Sequence, residues 1–184
     1  MINKILVALD SSDRNKSVFD TAVSLAQATG ASLMLLHILS EEEPDYPLLP
    51  TYAYYAVLKD SNGGVFQEEF SEYTQKGLDF LKNLAKEAIA AGVETEYSQL
   101  SGLPGWEICE AASNWSADLI VVGSRGFKGL NEMFVGSISN YVTHHAPCSV
   151  LIVRSNTDSV SNSTSTPFQE EEEADSRQEV ATDY

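Results

Sequence analysis

Apolar residues arrive along this chain in short unbroken runs, and the runs are separated by longer stretches of helical spacing. Ile2 to Leu9 (INKILVAL), Ala31 to Leu39 (ASLMLLHIL), Ala117 to Val122 (ADLIVV) and Ser149 to Val153 (SVLIV) are such runs. Runs this short, partly β-branched and without alternation, suit strands buried on both faces, as in a parallel sheet. Val93 to Leu100 (VETEYSQL) alternates apolar with polar residues and suits a strand nearer a sheet edge. Between the runs, Val18, Ala22, Leu25 and Ala26 recur at helical spacing as far as Ala28. Phe70, Tyr73, Gly77, Leu81, Leu84 and Ala88 do the same within Phe66 to Ala91. Pro104 suits the first turn of a helix running from about Trp106 to Trp115, with both tryptophans as core anchors. Gly136-Ser137 opens a last helix that ends before Pro147. Ser11 or Ser12 is placed to cap the first helix, and Gly30 to close it. Strand and helix thus alternate from end to end, which predicts an α/β fold with a five-stranded, parallel, doubly wound sheet and right-handed crossovers.

Two segments break the alternation. Ser40 to Val65 is rich in proline, tyrosine and acid and carries Asn62-Gly63-Gly64 near its end; it reads as an insertion or long loop. Glu41 to Glu43 and Pro44 favour a solvated path. Beyond Arg154 the chain turns to Ser, Asn and Thr and then to four consecutive glutamates, Glu170 to Glu173. Such a segment buries too little apolar surface to offset its ordering entropy, so a disordered acidic tail is expected over residues 155–184, after one domain over 1–154.

Charge narrows the list of partners. The formal net charge is −16, and the tail contributes eight acidic residues against one Arg. Upstream, nineteen acidic residues face ten basic ones, a net −9. That balance disfavours nucleic acid and anionic membrane surfaces. The two cysteines, Cys109 and Cys148, are too sparse for a disulfide framework and read as reduced, semi-buried thiols. No apolar run approaches a membrane span, and Met1 leads straight to Lys4 without a signal-peptide pattern; the expected location is cytoplasmic.

The chemistry concentrates in Gly123 to Ser137, GSRGFKGLNEMFVGS. Gly123 follows the fourth strand at its C-terminal end, where open α/β sheets bind ligands. Glycine permits unusual φ and close approach of a ligand to the main chain. Gly136 and Ser137 open a helix whose first-turn amides and dipole favour a phosphate, and the Ser137 hydroxyl adds a donor. Taken singly, each glycine is equally well a tight turn.

Here the chain resembles the universal stress protein family. The resemblance covers Met1 to Arg154 and rests on KILVALDSS, LLHIL, ADLIVVGSRG, GLNEMFVGSISNYV and APCSVLIV. It is to the ATP-binding branch, whose G-x2-G-x9-G-[S/T] pattern falls here on Gly123, Gly126, Gly136 and Ser137. The resemblance implies a Rossmann-like sheet of the adenine nucleotide alpha hydrolase type, order 3-2-1-4-5, and a homodimer through the last strand, residues 149–153. It implies ATP, or AMP or another adenine nucleotide, as ligand. Asp10 is similar to the family's aspartate near the nucleotide and its metal; Mg²⁺ or water must then stand between carboxylate and phosphate. Asp10 is equally suited to an Asx turn at the head of the first helix. Ala8, Ile38 and Val122 fall at positions near the base, and plain core packing is their other reading. On the loop, Gly123 and Ser124 are followed by Arg125, Gly126 and Lys128, the two cations being phosphate partners or solvated charges. Ile138 offers a backbone amide.

The function implied is a nucleotide-dependent regulatory module of the stress response, acting through a regulatory protein partner. Two alternatives stand beside it. One is a slow ATP hydrolase, although the chain has no G-x-x-x-x-G-K-[S/T] loop and no evident base to activate water. The other is a nucleotide-free interaction dimer, a branch that departs from the glycine pattern intact here. A phosphoacceptor receiver needs an acidic cluster that lone Asp10 does not supply. His144-His145 with Cys148 is a fragment of a metal site lacking a fourth ligand. His37 reads as a satisfied core histidine, and Ser11 and Ser12 lack a His or acid partner for hydrolase chemistry. The tyrosines of the insertion, Tyr46, Tyr52, Tyr54 and Tyr55, leave the second strand beside Ile38, so the loop is placed to fold over a bound base.

Overall fold

The computed structural model describes residues 1–10, 12, 15–41, 43, 46–47, 63–124 and 136–154. The elements are β1 (Lys4–Leu9), α1 (Asn15–Thr29), β2 (Ser32–Leu39), α2 (Gly63–Ala90), β3 (Thr95–Ser101), α3 (Pro104–Trp115), β4 (Leu119–Gly123), α4 (Ser137–His145) and β5 (Ser149–Val153). The five strands form one sheet in the order β3-β2-β1-β4-β5, with every neighbouring pair parallel. Helix α2 begins three residues before the apolar period predicts, because Gly63 and Gly64 are helical rather than turn residues. The insertion's tyrosines at 52, 54 and 55 and the acidic tail lie outside the described residues.

The two faces of the sheet bury alternate residues of the same strands, as a pleat requires. On one face Ile5, Val7, Leu33, Leu35 and Val121 meet Phe19 and Ala22 of α1 and Leu81 and Ala85 of α2. On the other, Leu6, Leu36, Ile38, Ile120 and Val122 meet Ile108 and Ala112 of α3 and Val142 of α4. This double cover makes β1, β2 and β4 read as unbroken apolar runs. β3 is exposed at several positions, in line with its alternating sequence at the edge. Gly30 closes α1 with φ of +73°, a conformation L side chains rarely adopt.

Trp106 departs from the expected core role. α3 buries Gly105, Ile108, Cys109 and Ala112, a stripe of i, i+3, i+4 and i+7. Trp106 falls one residue off that stripe and is 50% exposed. Trp115 sits at the rim of the second core, where its indole N–H donates to Glu96 at 2.5 Å and Lys4 Nζ lies 4.9 Å from its ring. Cys109 and Cys148 are free thiols, and burial pushes both pKa values up.

Glu43 also departs from expectation. Its neighbours in sequence favour solvent, yet Glu43 is only 7% exposed. It accepts from Nε2 of buried His37 at 2.9 Å, and Tyr73 of α2 donates to its other oxygen. Gln99 of β3 donates to His37 Nδ1 at 3.1 Å, so the ring is the Nε2–H tautomer with both nitrogens paired. Tyr46 packs edge-on against Phe70 and Tyr73. The first residues of the insertion are therefore pinned to α2, and His37 is the satisfied core histidine that its strand position suggests.

Candidate functional site

The strand order reverses between β1 and β4, and a crevice at the carboxyl ends of such strands is where open α/β sheets take ligands. Asp10 directly follows β1, and Gly123 is the last residue of β4. Asp10 Oδ1 accepts from both the backbone N–H (3.1 Å) and the hydroxyl (2.6 Å) of Ser12. This is the Asx turn open from the sequence. Ser12 turns its hydroxyl back onto Asp10, and its carbonyl, not its side chain, accepts the N–H of Asn15. Asn15, the first residue of α1, returns a side-chain bond: its Oδ1 accepts the Asp10 N–H at 3.1 Å. β1 and α1 are thus stitched together through side chains on both sides of the turn.

The glycine segment is anchored at its two ends. Ser124 N–H donates to Val153 O at 2.8 Å, which ties the end of β4 to β5. Gly136 N–H donates to Ser124 O at 2.7 Å, and the Ser139 hydroxyl donates to Gly123 O at 2.5 Å. Two main-chain carbonyls, those of Gly123 and Ser124, and two donors therefore fix the start of α4 beside the end of β4. Ser124 and Ser139 are both buried. The Ser139 tie was not legible as a site feature, because a serine inside a helix carries no signal of its long-range carbonyl partner.

Two features of Gly136 correct the sequence reading. Its N–H is already committed to Ser124, so it is not among the free amides. Its φ of −57° and ψ of 158° are open to other residues, so no unusual φ explains the glycine. The first-turn donors begin at Ser137, Ile138 and Ser139, since the first intrahelical bond runs from Asn140 N–H to Gly136 O at 2.8 Å. No side chain caps this helix, and Ser137 is exposed at its first position. Amides of this kind at the positive end of a helix dipole favour an anion, and among the described residues no side-chain cap competes for them.

Ala8, Ile38, Val122 and Ile138 gather in a single apolar cluster, on the face covered by α3 and α4. Ile38 and Val122 are buried; Ala8 and Ile138 are partly so. The structure therefore brings apolar wall, aspartate turn and helix N-terminus to one end of the sheet. Arg125, Gly126 and Lys128 lie outside the described residues. Tyr46 packs on α2, over the opposite face from Ile38, so the described part of the insertion does not lean toward that wall. His145 Nδ1 pairs with Tyr141 O at 2.8 Å and its ring stacks on Tyr141, a helix contact rather than a metal fragment. Among the described residues no three His, Cys, Asp or Glu side chains are grouped to hold a metal. Nor is any described helix long and apolar enough to cross a membrane.

Asn15 lies beside this site as well, at the first position of α1. It is 8% exposed, and its Nδ2 is buried with no hydrogen-bond partner among the described residues. A lone Asn at a helix start carries no sequence signal of burial.

Comparison with known proteins agrees with this architecture. A model of the universal stress protein family matches residues 1–154. Universal stress protein Sll1388 of Synechocystis is 38% identical over 151 residues, 82% of this chain and 97% of that protein. Universal stress protein YxiE of Bacillus subtilis is 38% identical over 154 residues, 84% and 100% of the two chains. Among solved structures, universal stress protein UspA from Lactobacillus plantarum superposes with a TM-score of 0.61 at 25% identity, covering 83% of this chain and 98% of that one. A universal stress protein in complex with cAMP gives 0.55 at 24% identity, over 83% and 97%. The protein from Archaeoglobus fulgidus in complex with dAMP gives 0.52 at 22%, over 83% and 98%.

Proposed function

The chain belongs to the universal stress protein family, and from that premise we propose that it binds an adenine nucleotide, ATP before AMP or a cyclic nucleotide, and acts as a nucleotide-dependent regulatory module. The observation that carries the reading is the clamp of Ser124 and Gly136. It holds an uncapped helix N-terminus against the end of β4, next to the Asp10 turn. Two proteins of the same fold were crystallised with cAMP and dAMP, which supports the adenine class.

In this reading Ala8, Ile38 and Val122 pack the base, and the amides of Ser137, Ile138 and Ser139 receive phosphate oxygens. Ser137 adds its hydroxyl. Gly123, Ser124, Gly126 and Gly136 shape the loop, and Arg125 and Lys128 supply positive charge in an acidic chain. One Asp10 oxygen carries both Ser12 bonds, which leaves the other for water on a nucleotide-borne Mg²⁺. A single carboxylate with phosphates and waters is an ordinary Mg²⁺ environment, so the residues fit the ion. Bound Mg²⁺ would offset phosphate charge; the chain's own part is to orient the water through Asp10.

The same reading extends to assembly. β5 is an edge strand of partly exposed Val150, Leu151, Ile152 and Val153, and an apolar edge is commonly paired. We propose a homodimer through residues 149–153, whose surface a regulatory protein reads. The domain is proposed to end near residue 154.

Calorimetric titration with ATP, ADP, AMP and cAMP tests the ligand. Saturable binding of at least one supports the reading, and none binding refutes it in favour of the nucleotide-free dimer. Multiple-turnover ADP release from ATP would move the protein to the slow hydrolase. Sedimentation showing a stable monomer at micromolar concentration would remove the dimer.

A further inference from the structure

We infer that Asn15 is a ligand-positioning residue whose buried amide donates to an oxygen of the bound nucleotide, a ribose hydroxyl or a phosphate. The inference rests on the adenine-nucleotide reading above.

Asn15 is held where such a bond would matter. Its Oδ1 accepts the Asp10 N–H at 3.1 Å, so the carboxamide stands over the carboxyl end of β1. β1 borders β4 at the reversal of strand order, the place where ligands enter sheets of this kind. The Asp10 bond also orients the group: with oxygen facing the backbone amide, nitrogen must point away from it. That nitrogen is buried and has no partner among the described residues. Folded proteins rarely leave a buried donor unpaired, because its lost hydration is not returned by any new bond. An Asp at this position would also accept the Asp10 N–H, and an apolar residue would avoid the orphan donor altogether. What asparagine alone adds is the donor, and a donor at this point calls for an acceptor that arrives with a ligand. Nucleotide oxygens are acceptors of the right kind, and a donor to a charged oxygen makes one of the stronger hydrogen bonds.

The test uses the full chain and two variants. Asn15→Asp keeps an acceptor for Asp10 and removes the donor; Asn15→Ala removes the donor without adding charge. Affinities for ADP, AMP and adenosine are measured by calorimetry, and the Asn15 side-chain NH₂ is followed by ¹⁵N NMR, assigned by its loss in Asn15→Asp. Both variants are expected to weaken binding about tenfold or more, and the Asn15 amide resonance should move when nucleotide is added. Movement with AMP but not adenosine identifies phosphate as the acceptor; movement with both identifies ribose. Wild-type binding matched within about twofold by both variants, with the Asn15 resonance unmoved, would overturn the inference and leave the adenine site standing; either variant's fold is checked by its thermal transition. Failure of the wild-type chain to bind these three and also ATP and cAMP would instead sink the site and this inference together.

Discussion

Gly77→Ala probes the buried polar knot under α2. A Cβ built on Gly77 lands inside contact distance of Gln99 Nε2, 2.9 Å from His37 Nδ1 and 3.1 Å from His37 Cε1. His37 cannot retreat cheaply. It is 2% exposed, bonded to Glu43 and flanked edge-on by Phe80. Gln99 is the movable partner, and moving it breaks its bond to His37 Nδ1. That loss leaves a buried acceptor unpaired, at a cost of about 1–3 kcal/mol. Residual crowding against the ring adds about 1 kcal/mol. Against this, alanine gains about 0.5–1 kcal/mol over glycine inside a helix. The net expectation is destabilisation by about 1–3 kcal/mol, from the balance of these terms.

Urea unfolding reads the change as a lower midpoint with unchanged slope. A double-mutant cycle with Gln99→Ala isolates the cause: Gly77→Ala should cost less once the Gln99 amide is gone, by about 1 kcal/mol. A variant more stable than wild type would show that helix propensity wins and that α2 does not press on His37 as described. Equal costs in both backgrounds would remove Gln99 from the account.

Gly136→Val should abolish or severely weaken nucleotide binding while the protein stays folded, since φ −57° and ψ 158° suit a branched residue; unchanged ATP affinity by calorimetry in a folded variant would exclude this end of the loop as a phosphate site. Ser116→Gly should raise stability by roughly 0.5–1 kcal/mol, because Ser116 closes α3 in the left-handed region at φ 57°; a lowered urea midpoint would contradict it. The Asp118 carboxyl is held below its ordinary pKa by hydrogen bonds from the Asn3 and then the Lys4 amides, at 2.7 and 3.0 Å. A depressed folded pKa stabilises the protein above the ordinary carboxylate range and is lost as pH falls through the folded value. The stability gap between wild type and Asp118→Asn should therefore be full near neutrality and narrow below about pH 4, and a gap constant from pH 7 to 3 would refute the assignment.

What the sequence discloses here is what neighbouring residues decide. The apolar runs disclose β1, β2, β4 and β5 because both sheet faces are covered, and the alternation of β3 marks it as an edge strand. The strand order follows from the family resemblance alone; alternation of elements by itself leaves several orders open. What stays hidden depends on partners far along the chain. Glu43 sits in an acidic run that looks solvated, yet His37, six residues before it, and Tyr73, thirty residues after it, enclose it. Trp106 looks like an anchor until the α3 stripe is seen to pass one residue to its side. The glycine pattern marks the end of β4 and the start of α4, but not that Gly136 gives its amide to Ser124. That bond makes Ser137 the first residue of α4 whose amide has no acceptor within the helix or the loop end, and it gives Gly136 a part in closing the loop. A short pattern of glycines is therefore evidence for where a loop begins and ends. Which of its amides face a phosphate follows only from the hydrogen bonds that the closed loop has already made.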